Sequence, residues 1–150
     1  MEHSNLKRLV ISMKQNLFDQ GYLDEQFYEL ENLEDDVSPN FVEEVVNTYL
    51  KHSSRLMANI EHALEKNPGD FHKLDSYMQQ FKGSSSSIGA AKLKDECLKF
   101  QEKCEQKNIE GCMRSFQKVK SEHGILKQKL EAYFQLLRQV GPSERATSSN

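Results

Sequence analysis

The chain has 150 residues, 37% of them apolar and 29% charged, with no Trp and a formal net charge of −3. That is enough chain for one domain with a real core, and the composition suits a helix-rich protein rather than a disordered one. The weak negative charge gives no support for general nucleic-acid binding, and no apolar run of about 18 residues is present to span a membrane. Met1–Met13 carries basic residues without an apolar stretch, so no secretory signal is expected and an intracellular location is the default.

A first helix is expected from Ser4 to Gln20, with Leu6, Val10, Met13 and Leu17 as its stripe and Gly21 as its stop. A short helix from Asp24 to Leu33 follows, carrying Phe27, Leu30 and Leu33 at spacing three. The acidic patch Glu31–Asp36 reads as a solvated loop or helix end. Ser38-Pro39 reads as the next start, Ser as cap and Pro in the first turn. That helix runs to Lys66 on the seam Val42, Val46, Tyr49, Ser53, Leu56, Ile60 and Ala63. Asn67-Pro68-Gly69 ends it and Asp70 caps the helix after it.

The central helix, to Ile88, buries Phe71, Leu74, Met78, Phe81, Ser85 and Ile88, at spacings of three and four. Gly89 turns the chain. A helix from Ala91 to Lys107 points Leu93, Cys97, Phe100 and Cys104 inward, and Asn108 breaks it. The last helix, Ile109 to Val140, has two interleaved series seven apart: Ile109, Phe116, His123, Leu130, Leu137, and Cys112, Val119, Leu126, Tyr133, Val140. Gly141-Pro142 stops it, and 141–150 is expected to be a disordered polar tail. No segment alternates as a strand does. Short loops make consecutive helices antiparallel neighbours, so the fold class is all-α: an antiparallel four-helix bundle over about 39–140 within one domain, 1–140, with additional N-terminal helices covering one end or side.

Cys97 and Cys104 are about 10 Å apart along one helix, too far for a disulfide, and the three cysteines read as buried reduced thiols. No Cys/His spacing fits a metal, and no cofactor is expected. His123 falls on the inward seam of the last helix and reads as a satisfied core or boundary histidine. His3, His52 and His62 read as surface residues. His52 has Arg55 three residues on but Leu56 at the next position. His72 is followed by Asp75 and Ser76, three and four residues on.

The outer face of the central helix is unusual. Gln79 points roughly 120° away from the buried seam, Gly83 is one turn further on, and Lys82 flanks both. A mid-helix Gly costs about 1 kcal/mol relative to Ala, and the four serines after it favour a helix only weakly. A chain that accepts those costs on an exposed face has a use for a flat, polar surface that something large can approach.

Gln79-Gln80-Phe81-Lys82-Gly83-Ser84-Ser85-Ser86-Ser87-Ile88-Gly89 resembles the signature His-Gln-x-Lys-Gly-Ser-Ser-x-Ser-x-Gly of the plant histidine-containing phosphotransfer family, with Gln79 in place of the phosphate-accepting histidine. Gln20–Phe27, Ser38–Phe41 and Asn108–Cys112 are similar to that family as well, so the resemblance covers residues 1–140. It implies a four-helix bundle with extra N-terminal helices, shuttling between cytoplasm and nucleus in a cytokinin-type phosphorelay. The implied partners are the receiver domains of hybrid histidine kinases and response regulators, with neither nucleic acid nor membrane involved. By position, Lys82 is the cation beside the site, Gly83 the access residue, and Gln80, Ser84 and Ser86 contribute with Gln79 to a docking face.

A relay histidine needs a nucleophilic imidazole lone pair. The Gln79 amide nitrogen has delocalised its own into the carbonyl, so it keeps a donor and an acceptor but no nucleophile. The resemblance therefore implies a pseudo member: a non-enzymatic protein that docks receivers, carries no phosphate and lowers flux through the relay; a monomer is the default, because the expected helices offer no spare apolar seam. An active mediator using another histidine, or a helical adaptor for a different partner, are the alternatives. A metabolic enzyme is least supported, since no nucleophile–base pair or phosphate loop can be placed.

Overall fold

The computed structural model describes residues 2–141 and contains six helices. They are α1 (Glu2–Asp19), α2 (Glu25–Asn32), α3 (Phe41–Lys66), α4 (Phe71–Ile88), α5 (Ala91–Glu105) and α6 (Ile109–Val140). No strand occurs among the described residues. Helices α3 to α6 form the antiparallel bundle; α1 packs along α6, and α2 packs against α4 and α3.

Helix length explains why α1 is needed along α6. With 15 residues α5 spans about 22 Å, whereas α6 with 32 residues spans about 48 Å. So α5 can cover only part of α6. On the C-terminal half of α6, Leu17 and Met13 of α1 lie beside Gln128, Lys129 and Ala132. Glu31 of α2 ties these elements together: Lys14 Nζ of α1 donates to its carboxylate at 3.3 Å, and Tyr133 Oη of α6 donates at 3.5 Å. Burial pushes the Glu31 carboxyl above its ordinary pKa, against the lowering effect of Lys14.

The expected seams are where the core lies. Val42, Val46, Tyr49, Ser53, Leu56, Ile60 and Ala63 of α3 are all buried, and so are Leu93, Cys97, Phe100 and Cys104 of α5. On α6 both seven-residue series are buried except Ile109, which sits at the end of the bundle and stays exposed. At the α4–α5 turn, Gly89 has φ +77°, and a Cβ there would lie 2.6 Å from the Phe27 nitrogen and 2.8 Å from Asp24 Oδ1. Only glycine lets α2 come so close: the Asp24 N–H donates to the Gly89 carbonyl at 2.9 Å.

Several details differ from the sequence reading. Ser38 is not a cap and Pro39 is not in the first turn, because α3 begins at Phe41 with Asn40 at its cap position. The Asp35 carboxylate accepts from the backbone N–H groups of Val37 and Ser38, folding this segment into a local turn. Glu34 reaches over to accept from Val42 N–H and so satisfies a first-turn donor of α3. The acidic patch Glu31–Asp36 is thus a set of backbone and side-chain acceptors rather than a merely solvated loop. Leu33 leaves the α2 stripe and is 64% exposed, since α2 has ended before it. His52 is half-buried rather than at the surface.

All three cysteines are free and buried. Cys104 meets Cys112 across the α5–α6 turn, Sγ to Sγ 3.8 Å, a pair that spacing along one helix does not reveal. Burial pushes all three thiols up, Cys97 to about 12, which keeps them protonated. Residues 142–150, most of the expected disordered tail, lie outside the described residues, as does the side chain of His3.

Leu130 is fully buried in the α6 seam. Leu130→Ala is expected to cost about 2–5 kcal/mol by lost burial plus the cavity left behind. Urea unfolding measures this, and a negligible loss would place Leu130 outside the core.

Candidate functional site

The site begins with what lies beneath it. Leu74, Met78, Phe81, Ser85 and Ile88 are buried on the inner face of α4, while Phe71 is half-buried at its start. Two polar contacts fix the depth and rotation of this helix. Tyr49 Oη of α3 and Ser85 Oγ share a buried hydrogen bond of 2.8 Å, and burial raises the Tyr49 phenol. The His123 ring meets Phe81 edge to face at 6.0 Å.

His123 is a satisfied core histidine. Its Nε2 lies 2.8 Å from Ser53 Oγ. Ser53 has one proton, which it donates to the Leu50 carbonyl at 3.2 Å. The bond to the ring therefore runs from Nε2–H to Ser53 Oγ, leaving Nδ1 unprotonated. Burial, with a smaller push from Lys127, lowers the His123 pKa from 6.5 to about 4. The ring is neutral near pH 7 and closed off from a partner.

The outer face carries the expected docking residues. Gln79, Gln80 and Gly83 are exposed; Lys82, Ser84 and Ser86 are half-buried. At about 100° per residue, Gly83 lies about 40° to one side of Gln79, with Ser86 and Lys82 about 20° and 60° to the other. These four share one face. Gln80 at about 100° and Ser84 at about 140° turn away from it. Ser84 Oγ is already engaged, donating to the Phe81 carbonyl at 3.1 Å, and Ser87 Oγ donates to the Ser84 carbonyl at 2.7 Å. With its hydroxyl folded onto the backbone, Ser87, about 40° beyond Gly83 around the helix, leaves the surface low there.

A Cβ at Gly83 would meet nothing within 4 Å. No packing inside the chain calls for glycine here, although helix propensity opposes it. Gly124 on α6 is equally open, but the residues three and four positions on are Lys127 and Gln128, long side chains of the kind that lie back over the preceding turn. Around Gly83 the C-terminal neighbours are Ser86 and Ser87, so the low surface continues.

Sequence reasoning missed Gln101, which touches Gln79, and placed Asp75 only beside His72. Gln101 of α5 donates from Nε2 to Gln79 Oε1 at 2.8 Å and to Asp75 Oδ1 at 3.1 Å. A signal for Gln101 exists: Gln79 and Gln101 are equidistant in sequence from Ala90 at the turn, so an antiparallel hairpin sets them side by side. Lys82 lies on this α5 side as well, where its charge partly opposes the upward shift of the Cys97 thiol. His72 is exposed at the edge of a surface groove lined by Asp75, Leu98, Gln101 and Glu102, with no Lys–Gly arrangement beside it; His62 is exposed on α3. No cluster of His, Cys, Asp and Glu among the described residues could hold a metal. None of the described helices is long and apolar enough to cross a membrane.

Residues 44–139 match the family described as the Hpt domain. The chain is 63% identical to pseudo histidine-containing phosphotransfer protein 2 of Oryza sativa subsp. japonica, over 99% of each chain. It is 62% identical to histidine-containing phosphotransfer protein 4 of Arabidopsis thaliana, over 77% of this chain and 91% of that one. Among solved structures, a histidine-containing phosphotransfer protein from Medicago truncatula superposes with a TM-score of 0.87 at 40% identity, covering 92% of this chain and 94% of that one.

The lowered His123 pKa has a signed consequence. Between pH 6.5 and about 4 the unfolded chain binds a proton that the folded chain refuses, so this residue's contribution to stability is lost as pH falls through that window. The raised Glu31 carboxyl acts in the opposite sense, favouring the fold toward acid. The difference between native protein and His123→Gln isolates the histidine. Urea unfolding across this range should show the native chain losing more stability toward acid than the variant; parallel profiles would mean an accessible ring.

Proposed function

The chain belongs to the histidine-containing phosphotransfer family, among its pseudo members, and from that premise we propose that it docks receiver domains without carrying phosphate. The partners are the receivers of hybrid histidine kinases and of response regulators in a cytokinin-type phosphorelay. By occupying them the protein competes with phosphate-carrying relatives and lowers flux. It does so as a monomer, in the cytoplasm and the nucleus.

The observation that carries this reading is Gly83: a mid-helix glycine open to solvent, one turn from Gln79, on a surface kept low by Ser86 and Ser87. Its helix cost is offset by nothing inside the chain, so its use lies with a partner that approaches closely. Lys82 sits on the same face, where a cation favours encounter with an acidic receiver pocket. Gln79 stands where the phosphoacceptor would stand and has no nucleophilic lone pair. A transient interface at the small end of the range for signalling complexes fits such a surface.

The test is phosphotransfer. A receiver-bearing hybrid kinase labelled with radioactive phosphate is mixed with the native chain and with Gln79→His. Label on the variant alone supports the reading. Acid-labile label on the native chain overturns it and makes another histidine the acceptor. No label on either means that more than the histidine has been lost.

Gly83 is tested separately. Gly83→Ala is expected to stabilise the protein by about 0.5–1 kcal/mol, because nothing crowds the added methyl. Gly83→Arg is expected to abolish receiver binding in calorimetry while the helical circular-dichroism signal stays unchanged. Unaltered affinity would move the docking face elsewhere.

A further inference from the structure

The orientation of the Gln79 carboxamide is dictated from outside its own helix. A free glutamine side chain can present either its C=O or its NH2 to a partner, since the two ends have nearly the same shape. Here the choice has been removed by a chain of hydrogen bonds that starts at a charge. Asp75, ionised, only accepts, so the Gln101 end 3.1 Å from its Oδ1 must be the NH2. That same Nε2 lies 2.8 Å from Gln79, so the Gln79 atom facing it must be the carbonyl oxygen. Both Gln101 N–H bonds are then used, one on each acceptor. The Gln79 carbonyl is occupied, and its NH2 is left without a hydrogen-bond partner on the exposed side of the helix.

Asp75 and Gln101 are half-buried along the α4–α5 seam, so the fixing groups are held by the packing of two helices rather than by one mobile side chain. Lys82, one turn from Gln79 on the same face, contributes an ammonium, which also only donates. The groups nearest a partner are then the Gln79 NH2 and the Lys82 ammonium, both donors, with the Ser86 hydroxyl between them able to donate as well.

We propose that Gln101, itself oriented by Asp75, is a positioning residue that turns the Gln79 NH2 toward the partner and makes this site selective for an acceptor-only group, namely a carboxylate. The inference rests on the reading that this face docks receivers and adds to it the group that Gln79 contacts: the phosphate-accepting aspartate of the receiver. An unmodified carboxylate has two oxygens able to take the Gln79 N–H and the Lys82 ammonium together. A glutamine facing the other way would set its carbonyl oxygen against that carboxylate, leaving two acceptors opposed.

The test is a double-mutant cycle on receiver binding, measured by calorimetry with the full chain and an unphosphorylated receiver. Gln101→Glu, made in an Asp75→Asn chain so that no second carboxylate opposes it, replaces the donor with an acceptor-only group, which draws the Gln79 NH2 inward and leaves its carbonyl outward. Gln101→Arg keeps a donor for both Asp75 and Gln79. The expected result is binding about 3- to 10-fold weaker for Gln101→Glu, the size of one hydrogen bond lost. Gln101→Arg should bind at least as tightly as the native chain, since its cation also favours encounter with an acidic pocket.

The same Gln101→Glu change in a Gln79→Ala background should have little further effect, because a residue that acts through Gln79 has nothing left to orient. An equal loss in both backgrounds would mean a plain charge or folding effect and would overturn the inference. So would native affinity for Gln101→Glu. If the native chain fails to bind any receiver, the docking reading itself fails; if it binds and loses binding on Gly83→Arg but is indifferent to Gln101, only the positioning role falls.

Discussion

Everything at the site depends on how α4 is held. Its apolar seam is clamped between α3 and α5 with α2 at its end, and Phe81 packs on a histidine of α6. Each large side chain on that seam contributes about 1.5–3 kcal/mol by leaving water. The buried Tyr49–Ser85 bond adds direction, because a hydrogen bond is lost by a rotation that burial alone would tolerate. With one side of the helix fixed in this way, the opposite side is determined by period alone: Gln79, Gly83, Ser86 and Lys82 face out because Leu74, Met78 and Phe81 face in.

This arrangement separates chemistry from stability. The nucleophile of a phosphotransfer protein must be exposed to reach a receiver, and exposed positions away from special features tolerate substitution within about 0.5 kcal/mol. A glutamine at position 79 therefore leaves the bundle intact while it removes the lone pair. The polar groups that the fold needs are elsewhere and are internally paired: Ser53 with His123 and Leu50, Tyr49 with Ser85, Glu34 with the first turn of α3. The surface set Asp75–Gln101–Gln79 belongs to a third kind, exposed enough to meet a partner yet anchored on two helices.

Helix positions and seams were legible in the sequence because they are local and periodic. The α3, α4 and α5 seams are buried residue for residue, apart from Phe71 at the margin. Errors fell where local signals compete. Ser38-Pro39 has the composition of a helix start, but Asp35 captures its backbone and Glu34 supplies the cap from eight residues before Val42. Leu33 has the right spacing for the α2 stripe but follows the last residue of that helix. The residues expected at a docking face were readable as a motif on one helix, and their division into a shared face and a turned-away pair follows from the helical period, which the motif alone does not express.

By itself the sequence determined the helical class, the buried seams, the outward position of Gln79, Lys82 and Gly83, and the missing nucleophile. The first three follow from residue type and a 3.6-residue period, and the last from the resemblance of the Gln79–Gly89 motif to its family's signature. Only the tertiary structure decided which groups from distant parts of the chain meet: Cys104 with Cys112, Glu31 with Lys14 and Tyr133, and Gln101 with Gln79 and Asp75. The physical reason is reach. Periodicity states which way a side chain points, whereas a hydrogen bond needs two atoms within about 3 Å, and that is fixed by how two helices are set against each other.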